Sequence, residues 1–128
     1  MGKASGPLLV SPQPISFLSG VDPESGVIVE KGHPLKGQCI SGKVLVFPYG
    51  KGSTVGSYVL YALSRNGHAP LAIVNAEAEA IIATGAIISK IPMIDRIDVS
   101  ITSLKNGTRA TVDGDLGELE YEGELAPA

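Results

Sequence analysis

The sequence predicts one mixed α/β domain over residues 1–128, with β layers toward both ends and two main helices in the middle. Length is the first observation behind this fold class, because 128 residues are enough for one domain with its own core and too few for two. Hydrophobic residues are the second, since they make up 44% of the chain and exclude disorder as its main state. Their spacing is the third, because it changes from short β-type runs to helical spacing and back.

The elements follow from turn residues and apolar periodicity. The β-branched run Val44–Phe47 predicts a strand buried on both faces. Helical spacing of apolar residues from Thr54 to Arg65 predicts the first main helix, which Asn66-Gly67 ends. Good helix formers from Glu77 to Thr84 predict the second, ended by Gly85. Other apolar runs predict strands or strand pieces: Leu8–Val10, Ile15–Leu18, Val27–Val29, Ala69–Val74, Ala86–Ser89, Pro92–Ile94, Ile97–Leu104, Thr108–Val112 and Leu119–Glu122.

Charge and cysteine content exclude several classes of function. A net charge of −3, with no basic cluster among aromatic residues, argues against a nucleic-acid binder. The single Cys39 cannot form an intrachain disulfide, and it cannot by itself hold a zinc ion or an iron–sulfur centre. No apolar run approaches the roughly 20 residues that cross a bilayer, and no signal-peptide pattern is present. We therefore expect a cytoplasmic domain without its own metal site and without a membrane or nucleic-acid partner.

The segment that joins the buried strand to the first helix is one candidate site. Gly50 and Gly52 allow the backbone to approach a ligand closely, and Lys51 adds a positive charge. Ser53 stands at the predicted helix N-terminus, where free N–H groups favour anions and would stabilise a serine alkoxide. Two interpretations remain open at this point, a catalytic base or a plain helix cap.

Two other segments are weaker candidates. Gly37–Lys43 resembles a nucleotide P-loop, but Val44 stands where a hydroxyl would hold magnesium, and a strand follows where a helix is required. A turn entering a core strand is the favoured interpretation. His68, after the helix stop, fits either a phosphoryl carrier or an exposed loop histidine, and His33 in its own turn is similarly open.

Four strings together resemble the small subunits of the aconitase X group, over a span from about Gly20 to about Leu104. The strings are Asp22-Pro23-Glu24-Ser25-Gly26, Gly32-His33-Pro34-Leu35, Gly42-Lys43-Val44-Leu45-Val46-Phe47-Pro48 and Gly50-Lys51-Gly52-Ser53. The resemblance implies the swivelling β/β/α domain of the aconitase superfamily. It also implies a lyase, specifically a hydro-lyase, that is active only as a heterodimer with a large subunit carrying the iron–sulfur cluster. The implied reaction in archaeal members is dehydration of (R)-5-phosphomevalonate to trans-anhydromevalonate 5-phosphate, within a mevalonate pathway of isoprenoid biosynthesis.

The resemblance also assigns site residues. Ser53 corresponds to the serine that acts as catalytic base in aconitase-type enzymes, and Lys51, Gly52, Thr54, Gly50 and His33 would line the substrate pocket. Aconitases follow this serine with Ser-Arg, whereas Thr54-Val55 stands here, so the clamp for a further carboxylate is absent. That difference argues against a tricarboxylic substrate and is compatible with a phosphorylated hydroxy acid that has one carboxylate.

Three alternatives stay open beside this interpretation. Bacterial relatives in the same group are similar to hydroxyproline dehydratases, so the motifs do not fix the substrate. Another alternative, from a different class, is a phosphohistidine swivel domain with His68 as the carrier. A third possibility is an assembly subunit whose loop only closes the partner's site.

Overall fold

The computed structural model of the protein describes residues 2–51, 56–77, 80–97 and 104–121. Within these ranges the chain forms eight strands and three helices. In chain order they are β1 (Lys3–Val10), β2 (Ile15–Ser16), α1 (Phe17–Gly20), β3 (Val44–Phe47), β4 (Gly50–Lys51), α2 (Gly56–Arg65), β5 (Ala72–Asn75), α3 (Ala80–Ile88), β6 (Met93–Asp95), β7 (Arg109–Asp113) and β8 (Glu118–Tyr121).

Six of these strands form one mixed sheet in the order β6-β5-β3-β1-β7-β8. The four strands β6, β5, β3 and β1 run parallel to one another, whereas β7 is antiparallel to both β1 and β8. Parallel strands end at the same side of a sheet. We call the side at which these four strands end the carboxyl edge. The last residues of the strands there are Val10, Phe47, Asn75 and Asp95.

The sheet separates two hydrophobic cores. Because side chains alternate across a strand, Leu9, Leu45 and Ile73 face the helices, where they pack with residues of α2 and α3. Their neighbours along each strand fill a second core on the other face. This second core includes Ile94 of β6 and Val112 of β7, which shows that the sheet curls. Burial on both faces explains the continuous apolar runs that predict β3 and β5.

A separate two-stranded sheet lies beside the first core. Strand β2 pairs in parallel with β4, with Ile15 opposite Gly50 and Ser16 opposite Lys51. This short pairing anchors the segment that leaves the end of β3. The structure therefore provides a second, local sheet at the position of the predicted glycine-rich segment.

The mixed α/β fold class is confirmed, as are the two main helices and most of the strands. The turn at Asp22–Gly26 is also confirmed, since Gly26 N–H donates to the Asp22 carbonyl at 2.7 Å and Gly26 has φ of 76°. The first strand is longer than predicted, because its first residues pair with β7. Residues 54–55, 78–79, 98–103 and 122 of the predicted elements lie outside the described residues.

Val27–Val29 was predicted as a strand, but it forms only isolated bridges, between Val21 and Ile28 and between Val27 and Cys39. The structure contradicts two further local predictions. Ala86–Ser89 was expected to be a strand piece, but α3 continues to Ile88, because Gly85 is buried against α2 instead of ending the helix. The second concerns Ile15–Leu18, where only Ile15–Ser16 forms a strand and α1 follows at once. Both errors arise where packing between elements overrides the local signal.

Candidate functional site

The carboxyl edge is where the sequence-predicted segment lies. Pro48 follows directly from β3, and the chain then runs through β4 toward α2. Both α2 and α3 follow strands that end at this edge, so the N-terminal ends of both helices lie there as well. Ligands of open α/β sheets bind at the carboxyl ends of parallel strands, and helix N-termini add positive potential. The edge therefore combines a glycine-rich segment with two favourable helix ends.

Hydrogen bonds hold the beginning of this segment from two sides. The Pro48 carbonyl accepts from the N–H groups of Ala76 (3.0 Å) and Glu77 (3.2 Å), just after β5. On the other side, the N–H of Ile15 lies 3.4 Å from the Tyr49 carbonyl, next to the pairing of β2 with β4. The segment thus leaves the sheet in a defined direction, and Gly50 is buried.

Asn75 lies at the end of β5 with its side chain fully buried. Its Nδ2 donates to the Phe47 carbonyl at 3.0 Å and lies 3.4 Å from the Val74 carbonyl. This orientation is fixed, because the flipped amide would direct an acceptor at two carbonyl oxygens. Its Oδ1 is buried and has no hydrogen-bond partner within the described part of the chain. An unmet buried acceptor costs about 1–3 kcal/mol, and such exceptions in native proteins require an explanation.

Ser11 and His33 form a buried polar pair just beyond the end of β1. Ser11 is 0% exposed and His33 is 5% exposed. The backbone N–H of Leu35 donates to His33 Nδ1 at 3.0 Å, so the ring hydrogen belongs on Nε2, which lies 3.3 Å from Ser11 Oγ. Ser11 Oγ in turn donates to the Gln13 carbonyl at 2.6 Å. Both ring nitrogens of His33 are therefore engaged within the fold.

Charged side chains extend the edge beyond β5. Arg96 Nη2 lies 3.9 Å from Glu77 Oε1, and Arg96 Nε lies 3.7 Å from Asp95 Oδ2. The side chains of Arg96 and Glu77 are about three-quarters exposed, so these pairs stabilise the fold by about 0–1 kcal/mol at most. They lie beyond the buried polar atoms, at the solvent-facing end of the same edge.

The predicted site residues fall into three groups. Gly50 and His33 are described in full, whereas Lys51 is described only in its backbone. Ser53, Gly52 and Thr54 lie outside the described residues. His68 lies away from the segment, at the opposite edge, between the end of α2 and the beginning of β5, and its N–H donates to the Leu63 carbonyl at 2.9 Å.

The other glycine-containing segment also lies at the opposite edge. Gly42, with φ of 70°, lies two residues before the first residue of β3, so a turn leads into a core strand there as the favoured interpretation required. No group of three or more His, Cys, Asp or Glu in the described ranges could hold a metal ion. No helix in those ranges is long and apolar enough to cross a bilayer.

Sequence reasoning missed Asn75 and Ser11. Asn75 is the first polar residue after the apolar run Ala69–Val74, and Ser11 is the first after Leu8–Val10. A polar residue that directly follows a buried parallel strand is a recognisable signal for the carboxyl edge. The signal needs the strand directions, which the sequence alone did not supply for β1.

The fold and the edge together define a small mixed α/β domain whose parallel strands end beside the glycine-containing segment and the beginnings of two helices. Comparison with known families makes this specific. The chain belongs to the aconitase X swivel domain family, whose model matches residues 1–121. This match confirms the resemblance to the aconitase X group that the four sequence strings indicated.

Curated relatives and solved structures agree with the family. A protein from Thermococcus kodakarensis named phosphomevalonate dehydratase small subunit is 59% identical over 119 residues, which cover 93% of this chain and 88% of that one. The protein of the same name from Methanocella arvoryzae is 56% identical over 120 residues, covering 93% and 91%. The crystal structure of aconitase X from Thermococcus kodakaraensis in its holo-form matches with a TM-score of 0.91 at 56% identity, covering 95% of this chain and 92% of that one.

Proposed function

We propose that this chain is the small subunit of a phosphomevalonate dehydratase, a hydro-lyase that works in the cytoplasm as a complex with a large subunit. The observation that carries the proposal is the similarity to relatives of that name, which reaches 59% identity over nine-tenths of the chain. The reaction removes a proton from the carbon beside the carboxylate of (R)-5-phosphomevalonate and a hydroxyl group from the next carbon. Its product is trans-anhydromevalonate 5-phosphate.

In this proposal Ser53 is the base that accepts the proton. A base that removes a proton beside a carboxylate has to be held where negative charge is stabilised. The segment that leads to Ser53 leaves the sheet at the carboxyl edge, beside the N-terminal ends of α2 and α3. Lys51, Gly50, Gly52, Thr54 and His33 are the proposed substrate-binding residues, with Lys51 as the cation for the phosphorylated acid.

The iron–sulfur cluster of such an enzyme does not fit this chain. A cluster needs several thiolate ligands, and the sequence has one cysteine. Cys39 is half-buried, with its Sγ 3.5 Å from the Ser25 carbonyl. We therefore assign the cluster to the large subunit and the base to the small one, so that the active site lies between the two.

The test is a dehydration assay on the complex, purified anaerobically with the large subunit from the same genome. Phosphomevalonate and hydroxyproline are offered in parallel, because hydroxyproline dehydration is the competing activity. We expect turnover of phosphomevalonate, and a loss of about 10³-fold or more in kcat for Ser53→Ala with the complex intact.

The matched control is Ser64→Ala, at the far end of α2, where the hydroxyl lies 3.4 Å from the Ser89 carbonyl. It should keep kcat close to that of the unmodified complex. Turnover of hydroxyproline alone would show that the substrate is hydroxyproline and not phosphomevalonate. A near-normal kcat in Ser53→Ala would show that Ser53 is not the base. Phosphorylation of His68 by a phosphoenolpyruvate-using enzyme would instead favour the carrier alternative.

A further inference from the structure

One buried polar group beside the proposed active-site segment is not explained by the fold alone. The side chain of Asn75 projects from the same face of the sheet as Phe47 and Ile73, both members of the helix-side core. It therefore lies on the helix-covered face of the sheet, at the carboxyl edge. At this position an apolar side chain would complete the core, yet an amide stands there with its Oδ1 unpartnered in the described part of the molecule.

The amide acts on the point where the segment begins. Its Nδ2 donates at 3.0 Å to the carbonyl of Phe47, the last residue of β3. Pro48 comes next, and its carbonyl accepts from the two N–H groups that directly follow Asn75. Three consecutive residues, Asn75 to Glu77, thus fix two consecutive carbonyls, those of Phe47 and Pro48. These hydrogen bonds hold the chain at the point where it leaves β3.

We propose that Asn75 is a positioning residue for the Pro48–Lys51 segment, and that it acts on catalysis through Ser53, two residues further along the chain. This inference rests on the proposed function for its catalytic consequence. The buried Oδ1 supports it, because a group kept only for stability would be replaced by an apolar one without an unmet acceptor. Removing the amide should leave the fold in place and let the segment leave β3 in more than one direction.

The experiment replaces Asn75 in the complex with the large subunit. Asn75→Leu removes the amide at similar size, and Asn75→Thr removes it with a residue of high β propensity, in case the first variant folds poorly. We expect kcat to fall about 10- to 100-fold in both, with KM changed by less than about threefold, because misplacement of a base by about 1 Å has an effect of this size. Ser89→Ala is the matched control, since its hydroxyl is also buried and unpartnered but lies after α3, at the opposite edge.

A second measurement separates positioning from general loss of structure. In the Ser53→Ala background, Asn75→Leu should reduce the residual rate no further, because it acts through the removed base. A reduction by the same factor in both backgrounds, or an Asn75→Leu complex with kcat within about twofold of the unmodified one, would overturn the inference.

A third measurement does not depend on the reaction. In the full chain alone, amide hydrogen exchange at Tyr49–Lys51 should be about tenfold faster in Asn75→Leu than in the unmodified chain or in Ser89→Ala. If the unmodified complex dehydrates no phosphomevalonate, the proposed function is wrong. The exchange rates still show whether Asn75 positions the segment that follows β3. Unchanged exchange would contradict this positioning.

Discussion

At the scale of single residues, His33 has a structural task that can be measured directly. It is almost fully buried, and its ring joins the Leu35 backbone to Ser11 near the end of β1. We expect His33→Ala to lower the free energy of unfolding by about 2 kcal/mol or more, because Ser11 Oγ and the Leu35 N–H both lose a buried partner. Urea denaturation of the full chain measures this loss.

The matched control for His33 is the other histidine of the chain. His68→Ala, at the opposite edge, should lower the free energy of unfolding by less than about 1 kcal/mol. Equal losses in the two variants would contradict the structural role. The proposed contact of His33 with substrate has a separate readout, since it would raise KM in the assembled enzyme even at temperatures where the variant is fully folded.

The residue scale also shows where sequence reasoning reaches its limit. The glycine-rich segment is a candidate site on composition alone, because Gly and Lys before a predicted helix have a physical meaning by themselves. Asn75 was not identified, since an asparagine after an apolar run could equally be an ordinary turn residue. Only the pairing of β5 with β3 shows that its amide faces the Phe47 carbonyl.

At the scale of elements, the close contact between α2 and α3 gives the next prediction. Gly85 is buried, and a Cβ at this position would lie 3.0 Å from Leu60 Cδ1 and 3.1 Å from Ser57 Cα. Alanine is favoured over glycine inside a helix by about 1 kcal/mol. Overpacking against a backbone atom costs about 1–3 kcal/mol. Because Ser57 Cα cannot rotate away, this cost should exceed the gain in helix propensity.

We therefore expect Gly85→Ala to lower the midpoint of urea denaturation, although the substitution raises helix propensity. Thr84→Ala, at the exposed neighbouring position, should leave the midpoint unchanged or raise it slightly. A higher midpoint for Gly85→Ala than for Thr84→Ala would show that the two helices can separate without cost. Since α2 follows the Pro48–Ser53 segment, any shift of α2 should also reduce kcat in the complex.

The same glycine explains the largest error among the predicted elements. From sequence, Gly85 indicates the end of a helix, and the apolar residues after it then look like a strand. In the structure the missing side chain lets two helices approach, and the helix continues to Ile88. Strand β3, whose signal is a continuous apolar run, was predicted with its observed bounds, because burial on both faces leaves no alternative for such a run.

At the scale of the whole molecule, the proposed enzyme is divided between two chains, and this chain would contribute the carboxyl edge to the active site. The carboxyl edge supplies a segment, helix ends and buried polar groups, but the described residues bring together no set of metal ligands. The resemblance indicated a partner from the sequence, whereas composition alone indicated only that this chain lacks a cluster. A surface that faces another subunit has no periodicity of its own, so sequence patterns do not locate it.

The assignment of the cluster to the large subunit predicts which chain binds iron. The full chain, reconstituted anaerobically with iron and sulfide, should bind no stoichiometric iron, because one half-buried thiol cannot replace the several thiolates that a cluster requires. The complex with the large subunit should contain iron, and Cys39→Ala in the small subunit should change neither its iron content nor its dehydration rate. Iron bound by the isolated chain and lost in Cys39→Ala would contradict the assignment, since it would place a metal ligand on this side of the interface.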